Sequence, residues 1–124
     1  MAPSPSVTIY HNPNCGSSKK ALAAAADLGV EVRVVQYLKV PPDRATLEAI
    51  VAKLDGPVAD LVRKDALFAR LGLDESDYTE PDAVVDLLLA HNALLQRPLL
   101  VTSDRAVIGR PTSRAEELLS SVRA

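Results

Sequence analysis

The chain predicts an α/β fold: a four-stranded mixed sheet built from a βαβ unit and a ββα unit, with a helical insertion between the two halves. Three observations predict it. Residues 7–37 run strand, helix, strand, the pattern of a βαβ unit with parallel strands. Residues 43–93 carry helical periodicity and no strand pattern. Residues 99–122 run strand, turn, strand, helix. With 124 residues the expectation is a single domain spanning 1–124, with residues 43–93 as an insertion within it.

Residues 1–6, with two Pro and two Ser, read as a flexible start. Val7-Thr8-Ile9-Tyr10 is β-rich, and His11-Asn12-Pro13-Asn14 breaks it with loop formers. From Gly16 to Leu28 the composition turns helical, with four alanines in a row, and Gly29 suits a C-terminal cap. Val30 to Tyr37 predicts the second strand, and Pro41-Pro42 closes the unit. Asp43 predicts the N-cap of a helix with Leu47, Ile50, Val51 and Leu54 on one face, ended by Gly56-Pro57. Residues 58–73 predict one or two short helical turns. Asp74 to Asp86 holds six acids and no base, which reads as a solvated loop and helix start, with an acidic binding surface as the alternative. Thr79 with Asp82 predicts a capping box, Pro81 the first turn, and Val84, Val85, Leu87, Leu88 and Leu89 a mostly buried helix. Leu99 to Thr102 and Ala106 to Ile108 predict a hairpin, and Ser113 with Glu116 predicts a capping box for a final helix to Val122. Tyr10, Tyr37, Phe68 and Tyr78 read as packing residues, and His91 as a histidine without a chemical role.

Composition narrows the function classes. The chain is 48% hydrophobic, enough for a packed core. A net charge of −2 gives no basic footprint for nucleic acid. The apolar runs are short or broken by charges, so no membrane span is expected. The N-terminal residues lack a basic stretch and a long apolar segment, so no secretory signal is expected. One cysteine excludes an intramolecular disulfide and a cysteine-based zinc cluster, and no metal is expected.

That cysteine has a chemically telling address. Cys15 follows a strand and loop and stands at the entry of a helix. Helix N-termini present unsatisfied N–H groups and partial positive charge, which stabilise a thiolate. Gly16 leaves the backbone amides open to an anion, and Ser17 and Ser18 offer hydrogen bonds. Lys19 and Lys20 add positive charge. Polar, loop-forming neighbours favour a reactive thiol over a structural one. His11, four residues earlier, offers either a base for the thiol or a cation beside the thiolate, against the plainer reading of a structural hydrogen-bonder.

The run His11-Asn12-Pro13-Asn14-Cys15-Gly16-Ser17-Ser18-Lys19-Lys20-Ala21-Leu22 resembles the active-site signature of the glutaredoxin-dependent arsenate reductase family. Tyr37-Leu38 followed by Pro41-Pro42 looks like that family's second strand exit. Leu61-Val62-Arg63-Lys64 resembles its mid-chain arginine motif, and Gln96-Arg97-Pro98 and Gly109-Arg110-Pro111 its two late Arg-Pro motifs. The resemblance runs in order over residues 7–120. It implies a thioredoxin-like fold and a cis peptide before Pro98. It implies Cys15 as nucleophile and Arg63, Arg97 and Arg110 as an oxyanion clamp, supported by His11, Asn12, Gly16, Ser18 and Pro98. Three guanidiniums would supply paired donors to a tetrahedral oxyanion and depress the pKa of a nearby thiol. Arg97 and Arg110 each precede a proline, where the backbone is stiff. Arg33, Arg44, Arg70, Arg105, Arg114 and Arg123 read as surface residues.

The implied reaction reduces arsenate to arsenite. With one cysteine the electrons must come from an external thiol. The resemblance implies glutathione as co-substrate, glutaredoxin as partner and no bound cofactor; the lack of a visible targeting segment and the need for a reduced thiol favour the cytoplasm. Two alternatives share the fold. One is a glutathione-dependent thiol/disulfide reductase, for which Cys15-Gly16-Ser17-Ser18 supplies a Cys-x-x-Ser pattern. The other is an Spx-like redox regulator that binds RNA polymerase. Many such regulators carry Cys-x-x-Cys, and Ser18 stands where the second cysteine would be.

Overall fold

The computed structural model describes residues 7–123, so the reading of residues 1–6 lies outside it. Strand β1 (Val7–Tyr10) leads through a short loop into helix α1 (Gly16–Leu28) and back to β2 (Val32–Val35). Helices α2 (Arg44–Ala52), α3 (Ala66–Arg70) and α4 (Pro81–Ala90) follow, separated by 3-10 turns at Val58–Leu61, Glu75–Asp77 and Asn92–Leu94. The hairpin β3 (Leu99–Val101) and β4 (Ala106–Ile108) then precedes α5 (Thr112–Arg123).

The sheet has four strands in the order β2-β1-β3-β4. β1 and β2 run parallel with Val7 opposite Val32, while β1–β3 and β3–β4 are antiparallel, with Ile9 opposite Leu100 and Leu100 opposite Val107. Side-chain alternation along each strand feeds two cores. Val7, Ile9, Leu100 and Val107 pack with Ala21 and Ala25 of α1 and Ala115, Leu118 and Leu119 of α5. Tyr10, Leu99, Ala106 and Ile108 face the other way, onto Leu47 and Ile50 of α2 and Val84, Val85, Leu87 and Leu88 of α4. The central strands are therefore apolar on both faces, as a covered sheet requires. Each fully buried Leu or Ile contributes about 1.5–3 kcal/mol of transfer free energy.

Local signals set three of the helix ends. Gly29 sits at φ 69°, its N–H reaching the Ala26 carbonyl at 3.1 Å and the Val30 N–H the Ala25 carbonyl at 2.9 Å, a Schellman closure of α1. Asp43 accepts from the Thr46 N–H at 2.8 Å and starts α2. Asp65 does the same for α3, through the N–H groups of Leu67 and Phe68.

Four boundaries differ from the sequence reading. β2 spans only Val32–Val35, because Val30 is consumed by the α1 cap and Gln36 accepts from Lys39 and Val40 in a turn. α2 ends at Ala52 rather than at Gly56-Pro57. Lys53 and Asp55 pair instead with Ala106, at 3.0 and 2.8 Å, covering the outer edge of β4. The Thr79 capping box does not form: Glu80 is the N-cap of α4 and makes no side-chain cap, and Leu89 is exposed. α5 begins at Thr112, ahead of the expected Ser113 cap. The acidic stretch is mostly exposed, Asp74 capping its own turn and Asp86 pairing with Arg44. Phe68 and Tyr78 meet edge to face at 6.1 Å.

Gly109, at the end of β4, is fixed by space rather than by φ. A Cβ there would stand 2.9 Å from Leu100 Cδ1 and Pro98 Cγ and 3.1 Å from Ala115 Cβ. Its N–H also donates to the Pro98 carbonyl at 2.8 Å. Gly109→Ala is expected to destabilise the fold by about 1–3 kcal/mol through overpacking. Thermal denaturation checks this; an unchanged Tm would show that the contact relaxes freely.

Candidate active site

The loop between β1 and α1 is built by its own polar groups. Asn12 Oδ1 accepts from the Asn14 N–H at 2.9 Å, and the Asn12 carbonyl accepts from the Cys15 N–H at 3.0 Å. The buried Ser18 hydroxyl accepts from the Asn12 N–H at 3.3 Å, tying the first turn of α1 back to the loop. This delivers Cys15 to the N-cap of α1, with no side-chain cap of its own and no acidic residue in the first turn. Cys15 is buried and unpaired. A Cβ on Gly16 would meet nothing within 4 Å, so the space beside that amide is open.

Two arginines arrive from the other half of the fold. Arg97 precedes β3 and Arg110 follows β4, and both the Arg97–Pro98 and Arg110–Pro111 peptides are cis. The first cis bond agrees with the resemblance; the second was not anticipated. Arg110 Nη2 donates to Cys15 Sγ at 3.2 Å, and its Nε donates to the Arg97 carbonyl at 2.7 Å. One guanidinium thus bridges the thiol and the backbone of the next arginine.

Electrostatics follow from this packing. Burial alone pushes the Cys15 thiol up. Against it act the Ser18 N–H, the Arg97 side chain, the Ser17 N–H and the Arg110 charge, which bring it down to about 7. Arg97 contributes although only Arg110 meets the sulfur in hydrogen-bond geometry. A large share of the thiol is therefore ionised at neutral pH. His11 is buried, and burial together with the Lys19 charge lowers its pKa. That direction favours the neutral imidazole over the cation beside the thiol.

Arg63 is placed differently. Its segment pairs with the approach to Arg97: the Arg63 N–H reaches the Leu94 carbonyl at 2.7 Å and the Gln96 N–H the Leu61 carbonyl at 2.8 Å. Its side chain, however, turns to Asp65, with Nε to Oδ2 at 3.1 Å. Among the described residues its guanidinium makes no hydrogen bond to Cys15, Arg97 or Arg110. The structure therefore joins Cys15, Asn12, Ser18, Arg97 and Arg110, sets buried Pro98 beneath them against Gly109, and leaves Arg63 beside the group. Beyond Arg110 lies an open depression of about 390 Å³, lined in part by Lys64, Gln96 and Arg114. Among the described residues no group of His, Cys, Asp and Glu is arranged to hold a metal ion, and no helix is long and apolar enough to cross a membrane.

Two further residues were not singled out as site residues from the sequence. Gly109 gives no local signal, because its constraint is a close approach between β4, Pro98 and α5. Tyr37 was read as packing, and its ring does pack; its hydroxyl, though buried, has no hydrogen-bond partner.

A parallel βαβ half joined to an antiparallel ββα half, with an ionisable thiol at the N-terminus of the first helix, defines a thioredoxin-like protein. Within that class the chain belongs to the ArsC family, whose profile matches residues 10–118. An arsenate reductase from Neisseria meningitidis serogroup A is 37% identical over 117 residues, covering 93% of this chain and 99% of that protein. One from Rhizobium meliloti is 40% identical over 114 residues, covering 91% and 81%. The structure of an arsenate reductase from Vibrio cholerae superposes with a TM-score of 0.80 at 30% identity, covering 93% of this chain and 98% of that one.

Proposed function

We propose that this chain is an arsenate reductase in which Cys15 is the nucleophile and glutathione and glutaredoxin supply the electrons. The observation that carries the reading is the contact of Arg110 with the Cys15 sulfur, beside Arg97. A thiol poised for disulfide exchange alone needs no pair of guanidiniums facing it. A tetrahedral oxyanion with one to two negative charges does.

Arsenate docks on Arg97 and Arg110 and on the open N–H groups at the start of α1. The Cys15 thiolate attacks arsenic, forming an S–As bond, and a hydroxyl leaves as water after taking a proton. Glutathione sulfur then attacks the Cys15 sulfur. The S–As bond breaks with its electron pair going to arsenic, which falls from the pentavalent to the trivalent state. Two thiols are thereby oxidised to one Cys15–glutathione disulfide, balancing the two electrons. A glutaredoxin thiolate attacks the glutathione sulfur of that disulfide and frees Cys15. No resident cofactor or metal is required. Arg63, released from Asp65, supplies a third guanidinium to the bound anion. Asn12, Ser18, Gly16 and Pro98 shape the loop, and His11 stands buried at its start. The depression beyond Arg110, where Lys64, Arg110 and Arg114 outnumber the single carboxylate of Asp60, supports entry of the anionic tripeptide. Thiol chemistry of this kind places the protein in a reducing compartment such as the cytoplasm.

The test is NADPH oxidation coupled through glutathione reductase, glutathione and glutaredoxin. Oxidation is expected to depend on arsenate and to collapse when glutaredoxin is omitted. Turnover of a glutathione mixed disulfide without any response to arsenate would overturn the reading in favour of the thiol/disulfide reductase.

A further inference from the structure

Charge is not spread evenly over this chain. It carries −2 overall, yet the open depression of about 390 Å³ beyond Arg110 gathers Lys64, Arg110 and Arg114 against one carboxylate, that of Asp60. The three ion pairs among the described residues, Arg44–Asp86, Arg63–Asp65 and Arg105–Asp55, include none of these cations. Arg114 Nη2 donates to the Asp55 backbone carbonyl at 3.3 Å, while the Asp55 carboxylate is held by Arg105 at 2.7 Å. Lys64 Nζ likewise donates to a backbone carbonyl, that of Ala59. Carbonyls fix these side chains in place and leave their charges uncompensated, so the depression attracts anions.

The depression reaches the thiol through Arg110. That side chain lines it and sets Nη2 3.2 Å from Cys15 Sγ. A molecule seated there touches the residue that touches the sulfur. Gln96, also in the lining, accepts from the Arg97 N–H through Oε1 at 3.3 Å, and among the described residues its Nε2 donates to nothing. Ile108 adds an apolar contact. The volume falls in the ~300–1,000 Å³ range of small-molecule clefts, far more than an inorganic oxyanion fills. Separated cations, a free amide donor and an apolar patch suit a short peptide that carries carboxylates. Glutathione has a carboxylate at each end and its sulfur on the middle residue, so a molecule held by its ends presents its thiol from the middle.

We propose that this depression is the docking site of the electron-donating thiol, and that Arg114 and Lys64 select thiols bearing carboxylates by pairing with those carboxylates. The inference rests on the reading above that an external thiol opens the Cys15 adduct, and it adds the side chains that recognise that thiol. Neither side chain touches the sulfur, so both should change how fast an anionic partner reaches Cys15 without changing the reactivity of the thiol itself.

Exchange with oxidised glutathione tests the site without arsenate. The Cys15 thiolate attacks one sulfur of the disulfide, the Cys15–glutathione bond forms, and one glutathione thiolate leaves, so the electrons balance. Mass spectrometry of the intact protein follows the rate. Oxidised glutathione with its carboxyls esterified is the matched probe, iodoacetamide reads intrinsic thiol reactivity, and Arg33→Gln, on β2 at the opposite edge of the sheet, is the control for net charge. Arg114→Gln is expected to slow exchange with oxidised glutathione about three- to five-fold, and the double variant with Lys64→Gln on the order of ten-fold. The ester and iodoacetamide rates should hold in both. The wild-type advantage over the variants should shrink between about 0.01 M and 1 M salt, as the Debye length falls from about 30 Å to 3 Å. Equal losses with oxidised glutathione and its ester would overturn the assignment, and so would an equal loss in Arg33→Gln. Unchanged rates in the double variant would overturn it as well. Wild-type protein that forms no mixed disulfide would overturn this proposal and the external-thiol relay together. Wild-type protein that exchanges in the expected way but reduces no arsenate would overturn the activity alone and leave the docking site standing.

Discussion

Cys15→Ser is expected to lower arsenate reduction at least roughly a thousand-fold while leaving the protein folded and able to bind oxyanions. The chain has one cysteine, so no second thiol of its own can take over the attack. A serine hydroxyl at the same N-cap stays protonated at neutral pH and forms no reducible bond to glutathione. The substitution is close in volume, and a serine oxygen still offers Arg110 Nη2 an acceptor where Sγ stood at 3.2 Å. The Tm should therefore move by only a few degrees. Phosphate binding separates the roles further. With the thiol at about 7, wild type carries a growing negative charge beneath the anion as pH rises above neutrality. Removing it should tighten phosphate binding above pH 7 and leave it unaltered well below. Coupled NADPH oxidation and phosphate calorimetry across pH 6–9 check both halves. Residual turnover near the wild-type rate would mean that Cys15 is not the nucleophile.

The parts of this site that were legible in the sequence are those written in consecutive residues. The address of Cys15, after a strand and at a helix entry, follows from Val7–Tyr10, the loop formers and the alanine-rich run. Gly29 and Asp43 announced helix ends because capping is local chemistry, and both cap as expected. The errors lie where backbone groups had distant suitors. Val30 looked like strand, but its N–H is taken by the α1 cap; Lys53 and Asp55 looked helical, but they pair with Ala106 across the fold. Arg97 and Arg110 could be marked as clamp residues by resemblance, yet no spacing could show that one would bridge the other's carbonyl to the thiol. Nor could it show that Arg63 would turn to Asp65. Tyr37 exposes the limit most clearly. A sequence gives the ring, and the ring packs, but whether a buried hydroxyl finds a partner is decided by atoms brought together from β1, β2 and β3.

Arg110→Ala is expected to raise the thiol pKa by roughly one unit or more and to cut arsenate kcat/KM by roughly 10²–10³. The two effects have one cause. The guanidinium is a donor to the sulfur, and its charge favours thiolate over thiol alongside the Ser18 N–H, Arg97 and the Ser17 N–H. Iodoacetamide alkylation followed against pH reads the first effect. Wild type should reach half its plateau rate near pH 7, and the variant distinctly higher. At pH 6.5 the variant should react several-fold more slowly, and above pH 9 the two should converge, since both thiols are then ionised. Stability carries the same signature. The folded thiol lies below its ordinary value of about 8.5, so its contribution is fully present above that value and is lost as pH falls through 7. Wild type should gain stability between pH 7 and 9, and Arg110→Ala should lose part of that slope, the Ser18 and Ser17 N–H groups and Arg97 keeping the rest. Arg110→Lys should recover part of the thiol shift, because charge remains. It should recover little of the arsenate rate, because the planar fork that joins Arg97 to the thiol is gone. Arg63→Ala is the contrasting case: held by Asp65, that arginine should leave the alkylation profile unmoved and raise only the arsenate KM. A shifted alkylation midpoint in Arg63→Ala, or an unshifted one in Arg110→Ala, would break the division of labour that the geometry assigns to these two arginines.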